Sequence, residues 1–168
     1  MGRTYRLAVT EIPHVREARS DDFEAILAIG ELVAVALLAR GIRWNPNVLT
    51  RAHLADWLRQ GALFVAETQG EVIGSVAVWR RDPDGWWSAG DRAGYIRDLM
   101  IAPRLRGQGV GAKTLLWAEN YLRGLGHHMA RLDCLASNER LCRYYSNIGY
   151  QQVGVSEVGM AYFEKALG

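Results

Sequence analysis

The residues best suited to chemistry lie just past mid-chain, in the run Tyr95-Ile-Arg-Asp-Leu-Met-Ile-Ala-Pro103-Arg-Leu-Arg106-Gly107-Gln-Gly109-Val-Gly111-Ala-Lys-Thr-Leu-Leu116. An apolar strand, a break at Pro103, a basic glycine loop and an amphipathic helix follow one another. That order builds an anion site. The start of a helix leaves backbone N–H groups without partners, and the helix dipole adds partial positive charge there. Glycines let a phosphate come close, because no Cβ stands in the way. Arg104 and Arg106 add full charges at the rim. The alternative is a tight strand-to-helix turn whose glycines serve only packing. Two familiar phosphate loops do not fit. Gly111-Ala112-Lys113-Thr114 lacks the Gly-Lys junction of a Walker loop. Gly107, Gly109 and Gly111 alternate, which is not the Gly-x-Gly-x-x-Gly spacing of a dinucleotide fingerprint.

The spacing that does fit is Arg106-x-x-Gly109-x-Gly111 behind an apolar strand and Pro103. Here the chain resembles the GNAT superfamily of acetyl-CoA-dependent N-acetyltransferases. A second stretch, Asn138-Glu-Arg-Leu141-Cys-Arg-Tyr144-Tyr145-Ser-Asn-Ile-Gly149-Tyr150, is similar to the family's later segment: Asn, a short helix, Tyr, then Gly before an aromatic residue. The resemblance implies an α/β fold with a mixed, mostly antiparallel central sheet, a splayed parallel strand pair and helices on both faces. It implies acetyl-CoA as co-substrate, held by Arg106, Gly107, Gln108, Gly109, Val110, Gly111 and Ala112. Its pantetheine arm would lie along the main chain of Leu99, Met100 and Ile101, with a further contact from Asn138 and from Tyr145.

Acetyl transfer from a thioester to an amine needs a donor for the carbonyl oxygen, a route for the amine's proton and a proton for the departing thiolate. The family assigns the first to a backbone N–H near Met100 or Ile101, and the last to Tyr145, four residues before Gly149. A phenol ordinarily titrates near ~10 and a thiol near ~8.5, so the transfer is slightly uphill. Neighbouring Tyr144 competes for that role. For the base, Asp98 on the central strand, Glu31 on the first helix and a water chain remain open. Asn138 also suits a helix N-cap. Cys134 lies on the adjoining strand and reads foremost as a small buried hydrophobe.

The acceptor side would be built by the first two helices, their loop and the hairpin beside the central strand. Trp44, Trp86 and Trp87 lie in loops there and could wall an aromatic or cationic amine, whereas Trp57 and Trp79 space like core residues. A small-molecule or peptide amine is the expected partner. The rival readings are a non-catalytic acyl-CoA-binding regulatory module and a nucleotide-binding protein using the same loop.

These groups need a frame. Strands are expected over residues 14–18, 62–68, 72–80, 93–101, 130–135, 153–155 and 160–165. Helices follow a Ser20 cap, a Thr50 cap, the glycine loop and Asn138, and Gly126 stops the third. Gln69-Gly70 marks a hairpin turn. The 168 residues, 49% of them apolar, suit a single domain over residues 1–168 with a real core. A net charge of +2 leaves no basic footprint for nucleic acid. No apolar run reaches membrane-spanning length, and Met1-Gly-Arg-Thr-Tyr-Arg-Leu holds no signal-peptide core. Two cysteines make neither a disulfide framework nor a metal-ligand spacing. The expectation is a cytoplasmic enzyme with no metal. The resemblance also allows a homodimer through the C-terminal strands.

Overall fold

The computed structural model describes residues 12–83 and 93–168. Among these, seven strands form one sheet: β1 (His14–Glu17), β2 (Leu63–Thr68), β3 (Glu71–Trp79), β4 (Ala93–Ile101), β5 (Met129–Leu135), β6 (Gln151–Val155) and β7 (Met160–Ala166). Their order is β1-β2-β3-β4-β5-β7-β6, and only β4 and β5 run parallel. Turn chemistry sets the first hairpin. Gln69 (φ 51°) and Gly70 (φ 78°) are both left-handed, the geometry whose twist matches two flanking strands.

Four helices cover the sheet: α1 (Phe23–Leu38), α2 (Arg51–Arg59), α3 (Val110–Gly124) and α4 (Glu139–Asn147). α1 and α2 bury Phe23, Ile26, Ile29 and Leu54 against Leu63, Val65 and Met100 on one face. α3 and α4 bury Leu115, Ala118, Leu122 and Tyr145 against Ile96, Leu132, Ala161 and Phe163 on the other. Ile26, Leu54, Ile73, Val76 and Leu122 are fully buried. Each such side chain contributes roughly 1.5–3 kcal/mol of transfer free energy. The parallel pair, the antiparallel remainder and the helices on both faces match the expected architecture.

The first helix begins later than a Ser20 cap predicts. The chain makes one 3-10 turn over Ser20–Asp22, and α1 starts at Phe23. The Asp22 carboxylate explains the shift. It accepts the Arg19 backbone N–H at 2.7 Å, and the Arg16 guanidinium donates to both its oxygens at 2.8 and 3.0 Å. Arg16 Nε also donates to Glu67 at 2.8 Å. A bidentate pair of this kind outcompetes a serine hydroxyl. Elsewhere the expected ends hold within a residue or two: Thr50 accepts the His53 N–H, and Gly126 (φ 84°) closes α3.

Candidate active site

The β4–β5 ladder stops half-way. Ala93, Gly94, Tyr95 and Ile96 pair with Met129, Ala130, Arg131 and Leu132. Beyond them, β4 pairs only with β3, and Asp133, Cys134 and Leu135 pair only with β7. The two strands therefore part, and β4 presents a backbone edge from Arg97 to Ile101 with no strand of the described residues on that side. Leu99, Met100 and Ile101 lie on it. Polar backbone groups along such an edge need partners, and an extended ligand can supply them.

A bulge sits at the point of parting. Ala77 faces Arg97 and Ser75 faces Met100, so β4 carries one residue more than β3 over this interval. Asp98 takes the strain with φ 50°, a left-handed conformation that Asp tolerates better than most residues. The bulge turns Asp98 outward, where its side chain is exposed.

The glycine loop abuts this edge. A 3-10 turn over Pro103–Leu105 leads into Arg106, and Gly107 (φ 78°) and Gly109 (φ 77°) both need the left-handed region. Gly109 starts α3 with no side-chain cap, and the first turn holds no acidic residue. The early N–H groups of Val110, Gly111 and Ala112 are thus left for an external acceptor. A Cβ on Gly111 would lie 3.7 Å from Ile101 and 3.9 Å from Leu99, so the helix start rests directly on the open strand. Val110 is buried with Ala66, Ile73 and Leu105, which anchors the loop. The two rim arginines differ. Arg104 is paired with Glu71 of β3, whereas the exposed Arg106 guanidinium makes no hydrogen bond or ion pair with another described residue.

α4 closes the far side. Asn138, buried, caps it by accepting the Leu141 N–H at 3.4 Å. Tyr145 is 8% exposed and packs edge-on to Tyr150 (5.8 Å) and against Phe163 (5.5 Å). Its hydroxyl bonds to no other described residue. Burial pushes the Tyr145 phenol up, with smaller contributions from Cys134, Tyr144 and Asp133. Those neighbours locate the ring beside the free end of β5. Tyr144 is half-buried and raised as well, first by burial and then by Glu119. Glu119 itself is buried and paired: the Tyr150 hydroxyl donates to it at 2.9 Å and Lys165 Nζ at 3.0 and 3.1 Å.

On the opposite face, a cleft of about 450 Å³ opens between α2, the chain before it, the end of β3 and the middle of β4. Its lining includes His53, Asp56, Trp57, Trp79, Arg97 and Asp98. Trp57 and Trp79 stand edge to face at 6.0 Å. As their spacing suggests, Trp79 is buried and packs with Trp57 in a small core of Ala62, Ala77, Ala93 and Tyr95, and both also border this cleft. Trp44 is not among its lining: its ring packs near Gly30 and belongs to the α1–α2 core. Trp86 and Trp87 lie outside the described residues. Of the candidate bases, Asp98 lines the cleft, while Glu31 is exposed on α1 and does not. His53 and Asp56 are additions that the sequence reading missed. Their i, i+3 spacing on a helix beginning at Thr50 is the signal that could have found them.

Comparison with known proteins agrees with this geometry. Residues 19–150 match the profile of the Acetyltransferase (GNAT) family. The chain is 29% identical over 156 residues to the N-acetyltransferase YesJ of Bacillus subtilis (strain 168), covering 88% of this chain and 86% of that protein. It is also 29% identical over 155 residues to the aminoalkylphosphonate N-acetyltransferase of Salmonella typhimurium, covering 86% and 88%. Among solved structures, a GNAT-family acetyltransferase from Listeria monocytogenes superposes with a TM-score of 0.78 at 22% identity, over 92% of this chain and 95% of that one. The PaiA N-acetyltransferase of Thermoplasma acidophilum, solved with coenzyme A, gives 0.74 at 14% identity, over 92% and 98%. At these identities the structural likeness speaks for the fold.

Proposed function

The chain belongs to the acetyltransferase (GNAT) family, and from that premise we propose that it transfers the acetyl group of acetyl-CoA directly to a primary amine within a ternary complex. One observation carries this reading: an uncapped helix N-terminus rests on a strand edge that has lost its neighbour. The first suits a pyrophosphate and the second suits an amide-bearing arm. No nucleotide lacking such an arm would use both.

The residues fit that co-substrate as follows. The N–H groups from Gly107 to Ala112 and the Arg106 guanidinium hold the pyrophosphate. The main chain of Leu99, Met100 and Ile101 pairs with the arm, and Asn138 contributes its side-chain amide. Bound there, acetyl-CoA supplies a thioester carbonyl and a thiolate leaving group. An N–H near the β4 bulge donates to the carbonyl oxygen as charge develops. Tyr145 faces the sulfur. Because burial raises its phenol, Tyr145 is a poorer proton source than an exposed tyrosine, but it stays protonated and can stabilise the thiolate by a hydrogen bond throughout. Asp98, on the cleft side of β4, takes the amine's proton directly or through water.

The acceptor occupies the cleft of Trp57 and Trp79. Relatives named for aminoalkylphosphonate and for thialysine N-epsilon acetylation support a primary amine as the acceptor class. The test is acetyl-CoA-dependent thiol release across a panel of amines, with both substrates varied. Direct transfer gives intersecting reciprocal plots. Parallel plots would indicate an acetyl-enzyme, and tight acetyl-CoA binding with no turnover on any amine would indicate a regulatory module.

A further inference from the structure

The only two cysteines in the chain meet beside the site. Cys134 on β5 and Cys142 on α4 have their sulfurs 3.6 Å apart. Cys142 lies eight positions after Cys134, and the intervening turn brings the first turn of α4 back over the end of β5. Nothing in the proposed transfer uses either thiol. We propose that Cys134 and Cys142 form a peroxide-sensitive dithiol couple, closing to an intramolecular disulfide that ties α4 to β5 and slows acetyl transfer. The effect on transfer rests on the function proposed above; formation of the bond does not.

The geometry assigns the order of events. Cys142 is half-buried, with its sulfur near the carbonyl oxygens of Leu135 (3.8 Å) and Ala136 (3.9 Å), so peroxide reaches it first. Cys134 is 7% exposed, and burial pushes its thiol up and keeps it protonated. The Cys142 sulfur takes one oxygen of hydrogen peroxide. The O–O bond breaks and the second oxygen leaves as water, giving a sulfenic acid. The Cys134 sulfur then attacks the Cys142 sulfur. The S–O bond breaks, and the hydroxyl leaves with the Cys134 proton as a second water. Two thiols lose two electrons in all, and one peroxide becomes two waters.

Closure must bring the sulfurs from 3.6 Å to about 2 Å. α4 carries the other two site groups, Asn138 four residues before Cys142 and Tyr145 three after it. The Cys142 N–H already donates to the Asn138 carbonyl at 3.0 Å, so the cap moves with the cysteine. A displacement near 1 Å at such groups costs as much as ~10²-fold in rate.

Treatment of the full-length protein with hydrogen peroxide, followed by N-ethylmaleimide and trypsin, tests this. Cleavage after Arg131, Arg140 and Arg143 puts the two cysteines on separate peptides, residues 132–140 and 141–143. The expected result is a disulfide-linked pair of these peptides from protein that remains monomeric on a non-reducing gel. Acetyl transfer should fall about tenfold or more, return with dithiothreitol, and be insensitive to peroxide in Cys142→Ser and Cys134→Ala. Two alkylated, unlinked peptides would overturn the couple, as would links only between chains. A linked peptide with unchanged transfer would overturn the switch. Reduced protein inactive toward every amine would overturn the acetyltransferase reading, and the effect on transfer with it, while the linked peptide would still decide the couple.

Discussion

Arg97 and Asp133 form an ion pair, Nε to Oδ1 at 3.2 Å, one residue beyond the last hydrogen-bonded rung between β4 and β5. Side chains bridge the strands where the backbones cease to. The Asp133 side chain is 9% exposed and the Arg97 side chain 22%, so the pair is largely shielded from water. It ties β4 to β5 at the point where their backbones part.

Arg97→Met should therefore cost more than a surface change. It removes the Arg97 guanidinium from a largely buried carboxylate, a loss of about 2 kcal/mol, below the 3–5 kcal/mol of fully buried pairs because Arg97 is partly exposed. Denaturant unfolding measures the cost. The same variant should raise the KM for acetyl-CoA, since the open edge of β4 is no longer held.

Tyr145→Phe should lower kcat about 10²-fold and leave acetyl-CoA affinity unchanged. The hydroxyl bonds to no other described residue, so stability should change by no more than about 0.5 kcal/mol. The pH dependence has a definite sign. Burial raises the phenol, the protonated form is the working one, and it persists through the range where an ordinary tyrosine would begin to ionise near ~10. The ratio of wild-type to Tyr145→Phe rates should be flat from about pH 7 to about pH 10. An alkaline fall in that ratio would show that the phenol titrates normally.

The two rim arginines should separate. Arg106→Gln removes a free cation from the loop and should weaken acetyl-CoA binding about fivefold to tenfold, roughly 1 kcal/mol, with the melting temperature unchanged. Arg104→Gln should weaken it less, because Arg104 is already engaged by Glu71. Calorimetric titration of both variants at low and high salt distinguishes them, since the Arg106 contribution is the one that salt should screen.

Asp22 supplies a pH test of the fold. Its carboxyl is held below the usual range first by hydrogen bonds from Arg16, with the Arg19 N–H adding to this. A depressed carboxyl stabilises the folded state above its unfolded value, near ~4, and that stability disappears as pH falls through the lower folded value. Asp22→Asn should cost about 2 kcal/mol at neutral pH. The melting curves of the variant and the wild type should begin to converge as pH falls below about 4 and meet only at lower pH.

Much of the frame was legible because local rules decide it. The Gln69-Gly70 turn, the Thr50 cap and the Gly126 stop are set by one or two residues each, and their elements appear nearly where expected. The loop from Arg106 to Gly111 was legible for the same reason. What escaped depends on partners distant in sequence. The cap of α1 moved from Ser20 because Arg16, on a strand, claims Asp22. The bulge at Asp98 is a mismatch between two strands, and no single strand encodes it. Period-two spacing says that Trp79 packs inward, as it does, but that the nine residues of α2 leave its outer side and Trp57 bordering a cleft depends on where that helix ends. The Cys134–Cys142 approach arises only when α4 folds back on β5.

The most direct test is thermal melting of the protein with acetyl-CoA, CoA, ATP or NAD, each alone. A ligand at about 100 times its Kd adds about 2.7 kcal/mol of stability. A loop for the pyrophosphate and a strand edge for the arm predict a shift with acetyl-CoA and CoA and none with ATP or NAD. No shift with either thiol compound, or an equal shift with ATP, would mean that the parted strands of β4 and β5 hold no pantetheine arm.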